Sequence, residues 1–260
     1  MPGGPGADRT DHDAGDPTVQ LTRPGSGPPP PDLASGLAAR ARGLGQQPAV
    51  TVLSPAGRAE QGFVTLAQWA AKGAHLLQVD HDLGPGDQVL VDVPAGWPLA
   101  AVAAAVWWTG AAVRLPGPDA AGDAVLAVVH QDRPRPDLAE VLRVGDAVDG
   151  SPTAADDDPA WALEVQAFPD QPPVPAAGPT TTAVIDADGV GHDHAAVIGL
   201  LADASGSLGH DVTTVGDGPG AAWATLLHVA ARPLVTGRAT VVLRDLPRSA
   251  ADGDRVTTWA

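Results

Sequence analysis

Apolar and polar positions along the chain follow two alternating rhythms. Short apolar runs rich in Val predict strands over Ala49 to Leu53, Gln88 to Val93, Ala111 to Leu115, Ala124 to His130, Thr181 to Ile185, Asp211 to Val215 and Ala239 to Leu243. Between them lie stretches with helical spacing. Thr65 to Val79 can turn Leu66, Trp69, Ala70, Leu76 and Leu77 to one face, with Thr65 as its N-cap. Pro98 to Thr109 is Ala-rich with Pro near its first turn, where a missing N–H costs nothing. Asp193 to Ala204 is a helix that Asp193 can cap, and Gly220 to Val235 is another. Weaker patterns predict a short helix near Pro136 to Val144, an edge strand over Trp161 to Val165 and a helix over Ser249 to Trp259. Strand, helix, strand at this spacing means βαβ units. The expected class is α/β, a largely parallel sheet covered by helices.

Punctuation sets the expected boundaries. Residues 1–31 are dominated by Gly, Pro, Asp, Ser and Thr and end in four prolines, which predicts a disordered tail. Residues 32–260 are then one domain with loops near 146–159, around Asp156-Asp157-Asp158, and near 168–179, where five prolines fall. Leu99 to Val113, the most apolar stretch, is too short to cross a bilayer, and no apolar run in the tail resembles a signal peptide. A cytoplasmic protein without membrane contact is the expectation.

Composition narrows the chemistry. Fifteen Lys+Arg against 31 Asp+Glu give a formal net charge of −16, which repels phosphate backbones and argues against nucleic acid as a partner. The absence of Cys excludes disulfides, zinc–thiolate clusters and a cysteine nucleophile. Lysine occurs once, as Lys72. Any phosphate loop or Schiff base that needs a lysine must use that one.

The familiar nucleotide devices are missing. After Gln88 to Val93 the turn Pro94-Ala95-Gly96-Trp97 holds a single glycine, and no G-x-G-x-x-G follows a predicted strand. Lys72 lies within a helix with no glycine loop before it. The densest polar cluster is Asp186-Ala187-Asp188-Gly189-Val190-Gly191-His192-Asp193-His194. A calcium loop would need more oxygen ligands and a terminal Glu where Val197 stands. A turn followed by a helix cap accounts for the segment, and no metal ligand is expected there. Ser205-Gly206-Ser207-Leu208-Gly209 follows a helix and lacks the first glycine of a nucleophile elbow. His75, His81, His130, His210 and His228 are scattered and define no triad, so no catalytic residue is expected. Trp97, Trp107, Trp108 and Trp223 are expected to be core or half-buried.

Three segments carry a family resemblance. They are Phe63 to Leu77; Leu83-Gly84-Pro85-Gly86-Asp87-Gln88-Val89 through Pro94; and Trp107-Trp108-Thr109-Gly110-Ala111-Ala112-Val113. In order and spacing they resemble the N-terminal region of the adenylate-forming superfamily, which includes acyl-CoA synthetases, peptide-synthetase adenylation domains and luciferases. The motifs there read L-T-Y-x-E-L, L-G-x-G-D-x-V-x-x-x-x-P and K-A-G-A-x-x-x-P. Leu226 to Leu243 is similar to a later segment of that family. The resemblance implies its N-terminal subdomain alone, of a kind found as short proteins in high-GC actinobacteria.

The departures carry as much information. Members of that family hold the triphosphate with a Ser/Thr/Gly-rich loop ending in Pro-Lys-Gly before a helix beginning near T-H. The matching place here, Thr180 to His194, keeps Gly189 and Gly191 but has Asp186 and Asp188 and no lysine. Acidic groups there repel phosphate. The resemblance therefore implies a degenerate relative that needs no cofactor, a non-catalytic binding or scaffolding module. Two rival expectations stand beside it. One is a half-enzyme completed in trans by another protein chain docking where the missing half would sit. The other is a small-molecule-binding α/β domain unrelated to that superfamily, using the carboxyl-end crevice of the sheet near Pro94 to Trp97 and marked by a pocket lined by Val93 and Trp97 with no opening near 186–192.

Overall fold

Eleven strands and seven helices are seen among the described residues of the computed structural model. The structure describes residues 28–259 except 56, 120, 148, 154–156, 175–176, 204–209, 215–220, 248 and 251–255. The expected tail over 1–31 therefore falls mostly outside the described residues, as does the Ser205 to Gly209 segment.

The strands divide into two sheets. One runs β11(Val256–Trp259), β9(His210–Thr214), β10(Thr240–Leu243), β1(Pro48–Ser54), β2(Gly57–Gly62). The other runs β6(Val141–Val144), β5(Leu126–His130), β3(Gln88–Asp92), β4(Ala112–Arg114), β7(Thr182–Ile185), β8(Gly191–Asp193). Every pairing is parallel except the two hairpin pairs, β1 with β2 and β7 with β8. The expected largely parallel α/β architecture is what the chain forms, with its strands in two sheets.

Helices α2(Phe63–Val79) and α3(Trp97–Thr109) form the centre. Nearly every residue of α3 is buried, and the helix packs on α1(Leu33–Leu44), α2, β1, β3 and β4. A helix that is apolar all round has to be enclosed on all sides. Trp107 and Trp108 are almost fully buried, and Trp107 Nε1 donates to the carbonyl of Ala183 at 2.8 Å, tying α3 to β7. Gly110, in the left-handed region at φ 84°, ends the helix. Lys72 ties α2 to the segment after Ala167: its Nζ donates to the Phe168 carbonyl at 3.1 Å and pairs with Asp170 at 3.0 Å.

Several local expectations are corrected. Val141–Val144, placed in a short helix from Pro136, is strand β6, because its apolar residues pair with β5 and are buried on both faces. Trp161 to Val165, expected as an edge strand, is the short helix α4(Trp161–Glu164) with a following 3-10 turn. Its buried Trp161, Ala162 and Val165 recur at helical spacing. Helix α2 starts at Phe63, and its cap position is Gly62; Thr65 instead donates its hydroxyl to Gln46 Oε1 at 3.1 Å. Val256–Trp259 is a strand where a helix was expected, in keeping with the β-branched run Val256-Thr257-Thr258. The Gly220 to Val235 helix is α6(Ala221–Thr225), a π-helical segment Leu226–Ala231 and α7(Arg232–Thr236). Helix α5(His194–Asp203) is capped as expected, Asp193 Oδ1 accepting from the Ala196 N–H at 2.7 Å.

Candidate binding cleft

The order of the six-stranded sheet reverses at β3: the chain steps from β3 to β4 on one side, then returns to β5 and β6 on the other. Open α/β sheets leave a crevice outside the carboxyl ends of the strands at such a point. Here it is a cleft of about 150 Å³. Its walls come from Val93 and Pro94 after β3, Gly96, Trp97 and Pro98 at the start of α3, His130 at the end of β5, and Val144 to Ala147 after β6. The other sheet closes it with Val52, Ser54 and Gly57 to Ala59 of the β1–β2 hairpin and with Arg244 just after β10.

Each polar side chain is placed by a strand end. Arg244 Nη1 pairs with Asp146 Oδ1 at 2.7 Å, and its Nη2 donates to the Ala95 carbonyl at 3.1 Å, so one guanidinium spans the two sheets. His130 is 6% exposed; its Nε2 lies 3.4 Å from Asp146 Oδ2 and makes no hydrogen bond. Its Nδ1 accepts from the Asp132 N–H at 3.3 Å. Beneath these, the buried Arg143 donates to the carbonyls of His130 (3.4 Å) and Arg133 (3.0 Å) and pairs with Asp158 at 3.2 Å. That guanidinium fixes the loop after β5. Burial pushes the Asp92 carboxyl up from its ordinary value, against the pull of Arg133 at 3.3 Å and of His130. On the apolar side, Trp97 packs on Trp69 with ring centroids 5.1 Å apart, and Gly150, at φ 80°, lets its chain approach the Trp97 ring.

The chain has the fold of the adenylate-forming superfamily. An acyl-CoA synthetase of Brucella canis superposes with a TM-score of 0.70 and 17% identity, over 90% of this chain and 48% of that one. The nonribosomal peptide synthetase FmoA3 superposes at 0.65, with 20% identity over 90% of this chain and 26% of that one. Its AMPPNP-bound form gives 0.62, over 86% and 24%. The chain thus spans about half of the acyl-CoA synthetase and matches the topology of these enzymes' N-terminal subdomain. In sequence, a "TIGR03089 family protein" of Mycobacterium tuberculosis is 48% identical over 54 residues, 21% of this chain and 22% of that protein. No family model matches.

Within this fold the nominated phosphate-loop residues sit on the β7–β8 hairpin. Asp186 Oδ1 accepts the N–H groups of Asp188 (3.0 Å) and Val190 (2.9 Å), and its Oδ2 meets His192 Nε2 at 2.9 Å. These bonds, the His192 one foremost, hold the Asp186 carboxyl below its ordinary value. Gly189, at φ 82°, makes the turn, and Gly191 begins β8. The His192 ring lies 4.6 Å from Trp223. None of the residues lining the cleft comes from 186–192. Sequence reading pointed to Val93 and Trp97 but passed over His130, Asp146 and Arg244. The available signal was position: each of the three lies at, or within two residues of, the carboxyl end of a strand.

Proposed function

We propose that this chain is a binding module on an adenylate-forming fold, without adenylation activity, and that its cleft holds a small carboxylic acid. The cleft itself carries the reading. It brings two guanidinium groups, Arg58, which pairs with Glu60, and Arg244, which pairs with Asp146, beside the flat face of Trp97 and the apolar Val52, Val93 and Val144. Arginine forks suit carboxylate, and an indole wall suits the apolar remainder of the ligand. A cavity of about 150 Å³ is large enough for a benzene-sized group, room for a short-chain or single-ring acid. The likeness to an enzyme named for acyl-CoA synthesis supports the same ligand class.

The absence of adenylation rests on the hairpin. Its Asp186 and Asp188 stand where the resemblance would put a triphosphate, and Asp186 already accepts bonds on both oxygens. The half-enzyme reading would draw on a broad exposed apolar face. Among the described residues the exposed large apolar side chains are Val79, Val125, Leu163, Val174, Val190 and Leu200, one from each of six separate segments. No helix among them is long and apolar enough to cross a membrane.

Tryptophan emission during titration with butyrate or benzoate tests the binding reading. A saturable change is expected, lost in Trp97→Phe. ATP with either acid should release no pyrophosphate. Pyrophosphate release, or micromolar ATP binding by calorimetry, overturns it.

A further inference from the structure

We propose that His130, Asp132 and Asp146 form a site for a divalent cation of the zinc type, at the mouth of the cleft. One ligand atom from each lies within 4.8 Å of the others, brought together by the ends of β5 and β6. The imidazole is the decisive member. Its side chain is 8% exposed, it borders the cleft, and its Nε2 is shut off from solvent without a hydrogen bond. An unbonded polar atom at such depth is costly, and a ligand that accepts its lone pair removes the cost.

The spacing suits an ion. His130 Nε2 and Asp146 Oδ2 are 3.4 Å apart. Two ligands each about 2.0–2.1 Å from a tetrahedral zinc stand about 3.4 Å from one another. Asp146 is already oriented for this, with Arg244 on Oδ1 at 2.7 Å and the Gln131 amide on Oδ2 at 3.3 Å, which leaves Oδ2 a second lone pair. An ion on Nε2 places the ring proton on Nδ1 and displaces the long 3.3 Å contact from the Asp132 N–H. The Asp132 side chain is 77% exposed and, turned from Nδ1 toward the ion, gives it one carboxylate oxygen. One imidazole nitrogen with two carboxylates favours zinc, cobalt or manganese over calcium and magnesium, which take oxygen alone. Water from the open side of the cleft completes the shell. The site needs neither Trp97 nor Arg58 and holds its ion with or without an acid in the cleft.

Titration of the full chain with Co²⁺, followed by its visible d–d absorption, tests the proposal. Bands that saturate at one equivalent and disappear on adding Zn²⁺ are expected. Affinity should fall at least about tenfold (~1.4 kcal/mol) in His130→Gln and in Asp132→Asn. The second variant is exposed and preserves the fold. His192→Gln, on the hairpin, and His12→Gln, between Asp11 and Asp13 in the N-terminal segment, should titrate like the parent. Absence of bands, an unchanged titration in Asp132→Asn, or loss of the bands in His192→Gln or His12→Gln overturns it.

Discussion

Two histidine–aspartate pairs in this molecule look alike in sequence and differ in physics. On the β7–β8 hairpin, Asp186 spends both oxygens on two backbone N–H groups and on His192. No lining residue of the cleft comes from that turn. At the ends of β5 and β6, His130 faces Asp146 across 3.4 Å with its Nε2 unbonded, and both border a cavity. A polar cluster whose hydrogen bonds are internally complete stabilises a turn. One left incomplete beside a cavity has something to offer a ligand. Residue type alone separates the two poorly; satisfaction and space separate them well.

The largest break in that comparison should come from Arg143→Met. The buried guanidinium pairs with Asp158 and holds the carbonyls of His130 and Arg133. Its loss should cost about 3 kcal/mol in denaturant unfolding, the low end for a broken buried pair because Arg135 still meets Asp158. Acid binding should fall with it. A loss below ~1 kcal/mol would mean that the loop after β5 holds itself.

Two glycines give a matched pair. A Cβ on Gly145 would run into Ser151 and Pro152 beneath the cleft, and one on Gly117 would run into the Ala187 carbonyl of the hairpin. Each glycine-to-alanine change should destabilise by about 1–3 kcal/mol. Gly145→Ala should also abolish acid binding, and Gly117→Ala should leave it intact. Equal effects on binding would erase the distinction between the two regions.

Smaller effects sharpen it. Asp186→Ala removes two backbone acceptor bonds and should cost about 1 kcal/mol without changing acid affinity. Asp132→Asn, at an exposed carboxylate, should stay within about 0.5 kcal/mol of the parent. The pH dependence of stability should mark the end of the molecule where β8 gives way to α5. His194 is fully buried, and burial lowers its pKa against the pull of Asp32 and Asp193. The neutral ring is favoured in the fold, so stability should be full above the unfolded value near 6.5 and fall as pH drops below it. His194→Asn should flatten that fall between pH ~7 and ~5. Asp186 works in a lower window, its contribution present above 3.8 and lost as pH falls through the depressed folded value.

How much of this was legible in the sequence depends on range. Strands such as Gln88 to Val93 and the helix at Pro98 to Thr109 announce themselves because burial on all sides leaves uninterrupted apolar runs. Edge elements do not. Strand β2, Gly-Arg-Ala-Glu-Gln-Gly over 57–62, carries no apolar pattern, since one side of it pairs with β1 and the other meets solvent. β6 is hidden in the sequence, because two prolines at 134 and 136 and an arginine obscure a short buried run that becomes a strand only beside β5. The split into two sheets depends on pairings such as Val50 with Thr240, which no local pattern encodes. The cleft shows the same division. Val93 and Trp97 follow from the rule for strand ends, whereas Arg244 reaches Asp146 across 98 residues.

Calorimetric titration with benzoate of the parent chain, Arg244→Gln and Asp186→Asn tests the central claim most directly. One binding site is expected in the parent, with an affinity at least about tenfold weaker in Arg244→Gln and unchanged in Asp186→Asn. Benzoate binding that survives Arg244→Gln and is lost in Asp186→Asn would contradict it, and would place the working site on the hairpin.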